Sequence, residues 1–171
     1  QPCVKVSNLL NLINWDLLLD NSKFTWFHGD FHNENILFDG QDFKLIDWRQ
    51  NFGVGEYEYG DVYYDLAKFQ HGLYVSHPIV DSGHFSTQYF PDNIVKLDIF
   101  QSNRLLQVNS YFESWIEPHG YCLPKVRLIT ALIFLNIAAL HDQPYGQFLY
   151  YYGRLLLQNE YNNRKSKYFK R

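Results

Sequence analysis

A chain of 171 residues, 46% hydrophobic and 19% charged, is long enough for one domain with a sizeable core, and that composition excludes a disordered or low-complexity protein. A formal charge of -3 gives no long-range attraction to nucleic acid or to an anionic membrane, so any phosphate contact must be local. Two cysteines, Cys3 and Cys122, make no disulfide framework, and the expected setting is a reducing cytoplasm.

In chain order, Leu9, Leu10, Leu12, Ile13, Leu17 and Leu18 recur at spacings of three and four, which predicts a helix over 6–20. The aromatic run 24–28 (FTWFH) predicts a short strand ending at a polar loop. NILFD at 35–39 and DFKLIDW at 42–48, separated by a turn at Asp39 and Gly40, predict a hairpin. Residues 49–60 read as a glycine-containing loop, and Asp61 is a good N-cap for a helix with Leu66, Ala67 and Phe69 on its inward face. Residues 76–92 read as an irregular connection and 93–117 as a helix with breaks. A turn at 118–124 and helices over 125–141 and about 145–162 precede the basic end RKSKYFKR, read as solvated. The longest apolar stretch, 126–141, is interrupted by Arg127, Thr130 and Asn136 and is too short to span a bilayer, so it is read as a buried helix and no membrane is expected. The sum is one domain over 1–171, mostly helical α+β, with a small hairpin carrying the polar residues.

The chemistry concentrates in FHGDFHNENILFD at 27–39 and LIDW at 45–48. Polar residues packed between two hydrophobic runs are the mark of a functional loop on a rigid scaffold. His28, Asp30 and Asn35, followed by a strand pair ending in Asp47, have the spacing of the catalytic and metal loops of kinases. A hydroxyl attacking a γ-phosphoryl group needs a carboxylate to accept its proton, the role open to Asp30. Magnesium wants oxygen ligands, which Asn35 and Asp47 offer.

HGDFHNENIL, LIDW and GDVYYDLA at 60–67 together resemble the aminoglycoside phosphotransferase and choline kinase-like superfamily of small-molecule kinases, whose pattern is close to HGDLHxxNIL, IDW or IDF, and GDPxxDLA. The three motifs occur in order over residues 27–67, and the later helices agree only in general character. The resemblance implies a protein kinase-like fold, ATP and Mg²⁺ as cofactors, and a small-molecule hydroxyl as substrate: first a sugar or sugar derivative, second an amino alcohol such as choline. It implies Asp30 as the catalytic residue, Asn35 and Asp47 as metal ligands, and Asp61 and Asp65 as support for the catalytic loop and the nearby helix. His28 is expected to shape the loop, with His32 beside it. Glu34, Trp48, Glu56, Tyr57 and Tyr59 are candidates for contact with substrate, and Tyr63 and Tyr64 are read as packing. Phe31 departs from the usual Leu, and Asn33 and Glu34 stand where Pro and Gly are common.

Only 27 residues precede His28, too few for the lobe that covers ATP in such kinases, and the chain has no methionine. It is therefore read as the C-terminal lobe alone, a fragment needing an N-terminal lobe or a partner chain to bind ATP. The GVG at 53–55 lacks the third glycine of a phosphate loop and is read as a turn. Two rival readings stand beside the kinase: a metal-dependent hydrolase built on His28, Asp30 and His32 along one face of an extended strand, and a non-catalytic remnant of the lobe.

Overall fold

The computed structural model describes residues 3–50, 59–164 and 166–170. Glu56 and Tyr57, two of the candidate substrate contacts, and the GVG turn lie outside the described residues.

The N-terminal helical pattern is interrupted. Helix α1 covers Val6–Leu12 and α2 covers Trp15–Asp20, with Asn14 between them accepting a hydrogen bond from Leu17 N–H to cap the second helix. The break follows from the far end of the chain, which lies alongside: Ile13 bridges Phe169, Asn14 N–H donates to Tyr168 O at 2.8 Å, and Lys170 N–H donates to Leu12 O at 2.7 Å. The basic end is therefore not the solvated tail its charge suggested. Tyr168 and Phe169 are buried with Leu9, Leu18, Leu128 and Leu157.

Strand β1 (Phe24–Trp26) pairs antiparallel with β4 (Tyr59–Asp61), so the entry to the polar loop and the start of the next helix are side by side. The expected hairpin forms from β2 (Ile36–Phe38) and β3 (Phe43–Leu45), with Ile36 opposite Leu45. Its turn is held by the Asp39 carboxylate, which accepts from Gln41 N–H and Asp42 N–H. Helix α3 (Val62–Tyr74) is capped by Asp61, whose side chain accepts from Tyr63 N–H at 3.2 Å.

The stretch 76–99 corrects the sequence reading. It folds as a short helix α4 (His77–Asp81) and a second hairpin, β5 (Phe85–Phe90) with β6 (Ile94–Ile99), where irregular chain and helix were expected. In β6 the exposed Ile94, Lys96 and Asp98 alternate with the half-buried Val95, Leu97 and Ile99, a period of two that no helix can bury. The helix expected from 93 starts only at α5 (Asn103–Ile116), where Ser102 accepts from Leu105 N–H.

Helices α6 (Leu123–Ile137) and α7 (Tyr145–Asn162) complete the core. With the turn that follows it, Leu123–Leu140 is long and apolar enough by length and composition to cross a membrane. Here α6 is the central core helix. Val126 and Ile133 pack against Tyr63 and Ala67 of α3, Leu128 and Ala131 against Leu157 of α7, and Phe134 against Phe148 and Leu149. Gly153 lets α7 approach closely, since a Cβ there would lie 2.9 Å from that of Phe134.

Phe169→Ala should destabilise the protein by about 3 kcal/mol through the cavity it leaves, measured by urea denaturation. Unchanged stability would contradict the docking of the C-terminal segment.

Candidate active site

The loop that follows β1 is held from α3. The Asp65 carboxylate, one turn into that helix, accepts His28 N–H at 2.6 Å and Gly29 N–H at 2.8 Å. Burial pushes the Asp65 pKa above its ordinary value, against the opposing pull of those two donors. Gly29 has φ +77, and a Cβ there would lie 2.8 Å from Cβ of Arg49, so the turn requires glycine.

A second set of bonds ties the loop to the end of the hairpin. His28 Nε2–H donates to Ile46 O at 2.7 Å, leaving Nδ1 to accept Asp30 N–H at 3.3 Å, while Arg49 N–H donates to His28 O at 3.0 Å. With both ring nitrogens engaged, His28 has no lone pair for a metal. The geometry of His28 therefore gives no support to the rival metal centre on His28, Asp30 and His32. Among the described residues no group of three or more His, Cys, Asp or Glu side chains has metal-holding geometry. Trp48 packs its ring 4.8 Å from that of His28 and donates Nε1–H to Leu45 O.

Asn35 sits in a 3-10 turn (Asn33–Asn35) and is buried. Its Nδ2 donates to Asp30 O at 2.9 Å, and its own carbonyl accepts Ile46 N–H at 3.1 Å. Those two bonds bring Asp30, Asn35 and the residue before Asp47 together. With Nδ2 engaged, the Asn35 amide oxygen is the atom left to meet a cation, and Asp47, at a left-handed φ of 55, adds a carboxylate at the strand end. An amide oxygen and a carboxylate are the hard donors Mg²⁺ selects, so the residues present fit that ion.

The sequence reading missed Lys68. Its Nζ lies 2.7 Å from Asp30 Oδ1, and both side chains are largely sheltered. Burial pushes the Asp30 pKa up, but the Lys68 hydrogen bond and charge, with His32 and Arg49, outweigh it and hold the carboxyl below its ordinary value. Asp30 is thus ionised at neutral pH. The signal was present in DLAK: Lys68 is three residues after Asp65, on neighbouring positions of one helix. Asp61, expected as support, also accepts Lys23 N–H and pairs with the buried Lys125 at 2.9 Å, so it anchors the start of α3 to α6.

Beside Asp30 opens a cavity of about 180 Å³, walled by His32, Glu34, Lys68, His71 and Tyr145 among others. Glu34 touches His77 Nδ1 of α4 and lies 3.4 Å from His32 Nδ1. Burial lowers the His32 pKa, with Asp30 and Glu34 partly restoring it. Trp48 and Tyr59, the other described candidates for substrate contact, do not line this cavity; Tyr59 pairs instead with Trp26 on the β1–β4 sheet, rings 4.7 Å apart.

Lys68→Met should raise the pKa of Asp30, read from the carboxyl carbon shift by NMR. Because the folded Asp30 pKa is depressed, the stability it contributes is present above the unfolded value of about 3.8 and is lost as pH falls through the folded one. The stability gap between variant and wild type should therefore be open at neutral pH and close on strong acidification; a gap independent of pH would contradict the ion pair.

The family model described as the phosphotransferase enzyme family matches residues 5–89, from the start of α1 into β5, and so takes in the whole polar loop, the hairpin and α3. No curated protein and no solved structure matches the chain. Over residues 5–89 the chain is similar to the phosphotransferase enzyme family, matching the aminoglycoside phosphotransferase-like superfamily, and its mostly helical α+β architecture agrees with the kinase-like fold of that family.

Proposed function

We propose that this chain carries the catalytic loop of an ATP-dependent kinase that phosphorylates a hydroxyl of a small molecule, a sugar or sugar derivative before an amino alcohol such as choline. The observation that carries the reading is the pairing of an ionised, Lys68-bonded Asp30 with the Asn35 and Asp47 oxygens on adjoining backbone. Asp30 accepts the proton of the attacking hydroxyl. Its ionised state means that no proton has to be removed before the step, and the fixed loop supplies orientation. Asn35 and Asp47 would hold Mg²⁺, which when bound to ATP neutralises charge on the phosphates. His28, Gly29 and Asp65 hold the loop so that base and ligands keep their separation. A remnant without chemistry gives no reason for this combination to persist together with a cavity beside Asp30.

The large side chains left exposed on the β1–β4 and β2–β3 sheets, Phe24, Trp26, Phe38, Phe43 and Tyr59, support the placement as a C-terminal lobe. Exposed apolar surface of this extent marks an interaction face. We assign it to a nucleotide-binding lobe, on the same polypeptide or on a partner chain, in a cytoplasmic enzyme.

In the full-length protein, Asp30→Asn should lower acceptor-dependent ADP release by roughly 10²–10⁴-fold, the usual weight of a positioned general base. Asn35→Ala and Asp47→Ala should each raise the Mg²⁺ concentration needed for half-maximal rate. ADP release unaffected by Asp30→Asn would sink the assignment.

A further inference from the structure

The cavity beside Asp30 has an unusual stock of polar groups. Its walls come from the catalytic loop (Asp30, His32, Glu34), α3 (Lys68, His71, Gly72, Val75), the start of α4 (Ser76, His77) and the segment around α7 (His141, Tyr145). Its formally charged groups already have partners. Lys68 is bonded to Asp30 at 2.7 Å, and Glu34 is engaged by His77 and His32. A bound cation would have to displace one of these pairs to reach a carboxylate, and a bound anion would have to take Lys68 from Asp30. A quaternary ammonium group also lacks a cage among the described residues, where Tyr145 is the one phenol or indole ring that lines the cavity.

The groups that remain are uncharged. Burial, followed by the charges of Lys68, His32 and His77, pushes the His71 pKa down to about 3, so its imidazole is uncharged at neutral pH. His71 Nε2 is buried and has no hydrogen-bond partner among the described residues, a costly condition that a ligand or a water would relieve. Burial, with Glu34 nearby, pushes the Tyr145 phenol up to about 12, so it stays a hydroxyl. Ser76 adds a second hydroxyl, and Val75 and Ile137 supply apolar wall. At about 180 Å³ the space is smaller than the roughly 300 Å³ at which pockets for drug-sized ligands begin, which limits an occupant to a single ring or a short chain.

We propose that this cavity is the acceptor subsite and that it takes an uncharged polyhydroxylated molecule, a single sugar ring or a short polyol, with His71 and Tyr145 as its hydrogen-bonding residues. The assignment rests on the phosphotransfer reading of Asp30 and narrows it: it excludes polycationic aminoglycosides and choline as acceptors. His71, Tyr145 and Asp30 line the same cavity, so a hydroxylated molecule bound by the first two lies in the space that Asp30 borders.

The test is an NMR titration of the full-length protein labelled at histidine Cε1, with glycerol, tetramethylammonium and acetate as probes of the three ligand chemistries. A saturable shift of the His71 resonance with glycerol alone is expected. A shift with tetramethylammonium or acetate, or none with glycerol, would overturn the proposal. In turnover, His71→Leu should raise KM for an uncharged acceptor roughly tenfold, as for one lost buried hydrogen bond, with His71→Gln restoring most of it. The wild-type titration decides the matter even if His71→Leu fails to fold. The two layers separate cleanly. Glycerol binding without ADP release would keep the polyol site and remove the kinase reading, whereas ADP release with choline or an aminoglycoside as acceptor would keep the kinase and remove the polyol site.

Discussion

The bonds from the Asp65 carboxylate to the backbone N–H groups of His28 and Gly29 are the constraint on which the site depends. They fix a loop to a helix that is itself buried against α6, so the position of Asp30 is inherited from the core. Lys68 leaves the same helix one turn later and reaches Asp30. One helix therefore sets both the place of Asp30 and its charge. Asp61 fixes where that helix starts, through its cap on Tyr63 N–H and its ion pair with buried Lys125.

The second constraint comes from the hairpin. The bond between Ile46 N–H and Asn35 O extends the β2–β3 register by one more pair, and His28 closes on Ile46 O from the other side. Asp47 and Asn35 are neighbours because of strand pairing, with no need for a dedicated loop. Separate elements, α3 and the hairpin, thus converge on a handful of backbone groups. This is how side chains far apart in sequence keep a separation that chemistry requires.

Much of this was legible in the sequence, for a physical reason. The polar cluster, the hairpin turn and the Asp61 cap are local signals, each set by residues within a few positions of one another. Asp65 and Lys68 stand in the same short motif, but only the fold shows that both reach back to the loop. The failures were non-local. Leu9 to Leu18 carry a helical period, yet the chain breaks at Ile13 and Asn14 because Tyr168 and Phe169 return to pair there. The tail's charges, counted alone, hid two aromatic residues that complete the core. The strand Ile94–Ile99 had its alternation in plain view, but a helical reading of the longer segment absorbed it. His71 could not be singled out from sequence at all, since what marks it is a buried Nε2 with no hydrogen-bond partner among the described residues.

The most direct measurement on the central constraint is amide hydrogen exchange at His28 and Gly29. Both N–H groups should be protected in the wild-type protein, and both should exchange faster in Asp65→Ala while the amides of α6 keep their protection. Fast exchange at His28 and Gly29 in the wild type, or protection that survives Asp65→Ala, would mean that α3 does not hold the loop and that Asp30 is placed by something else.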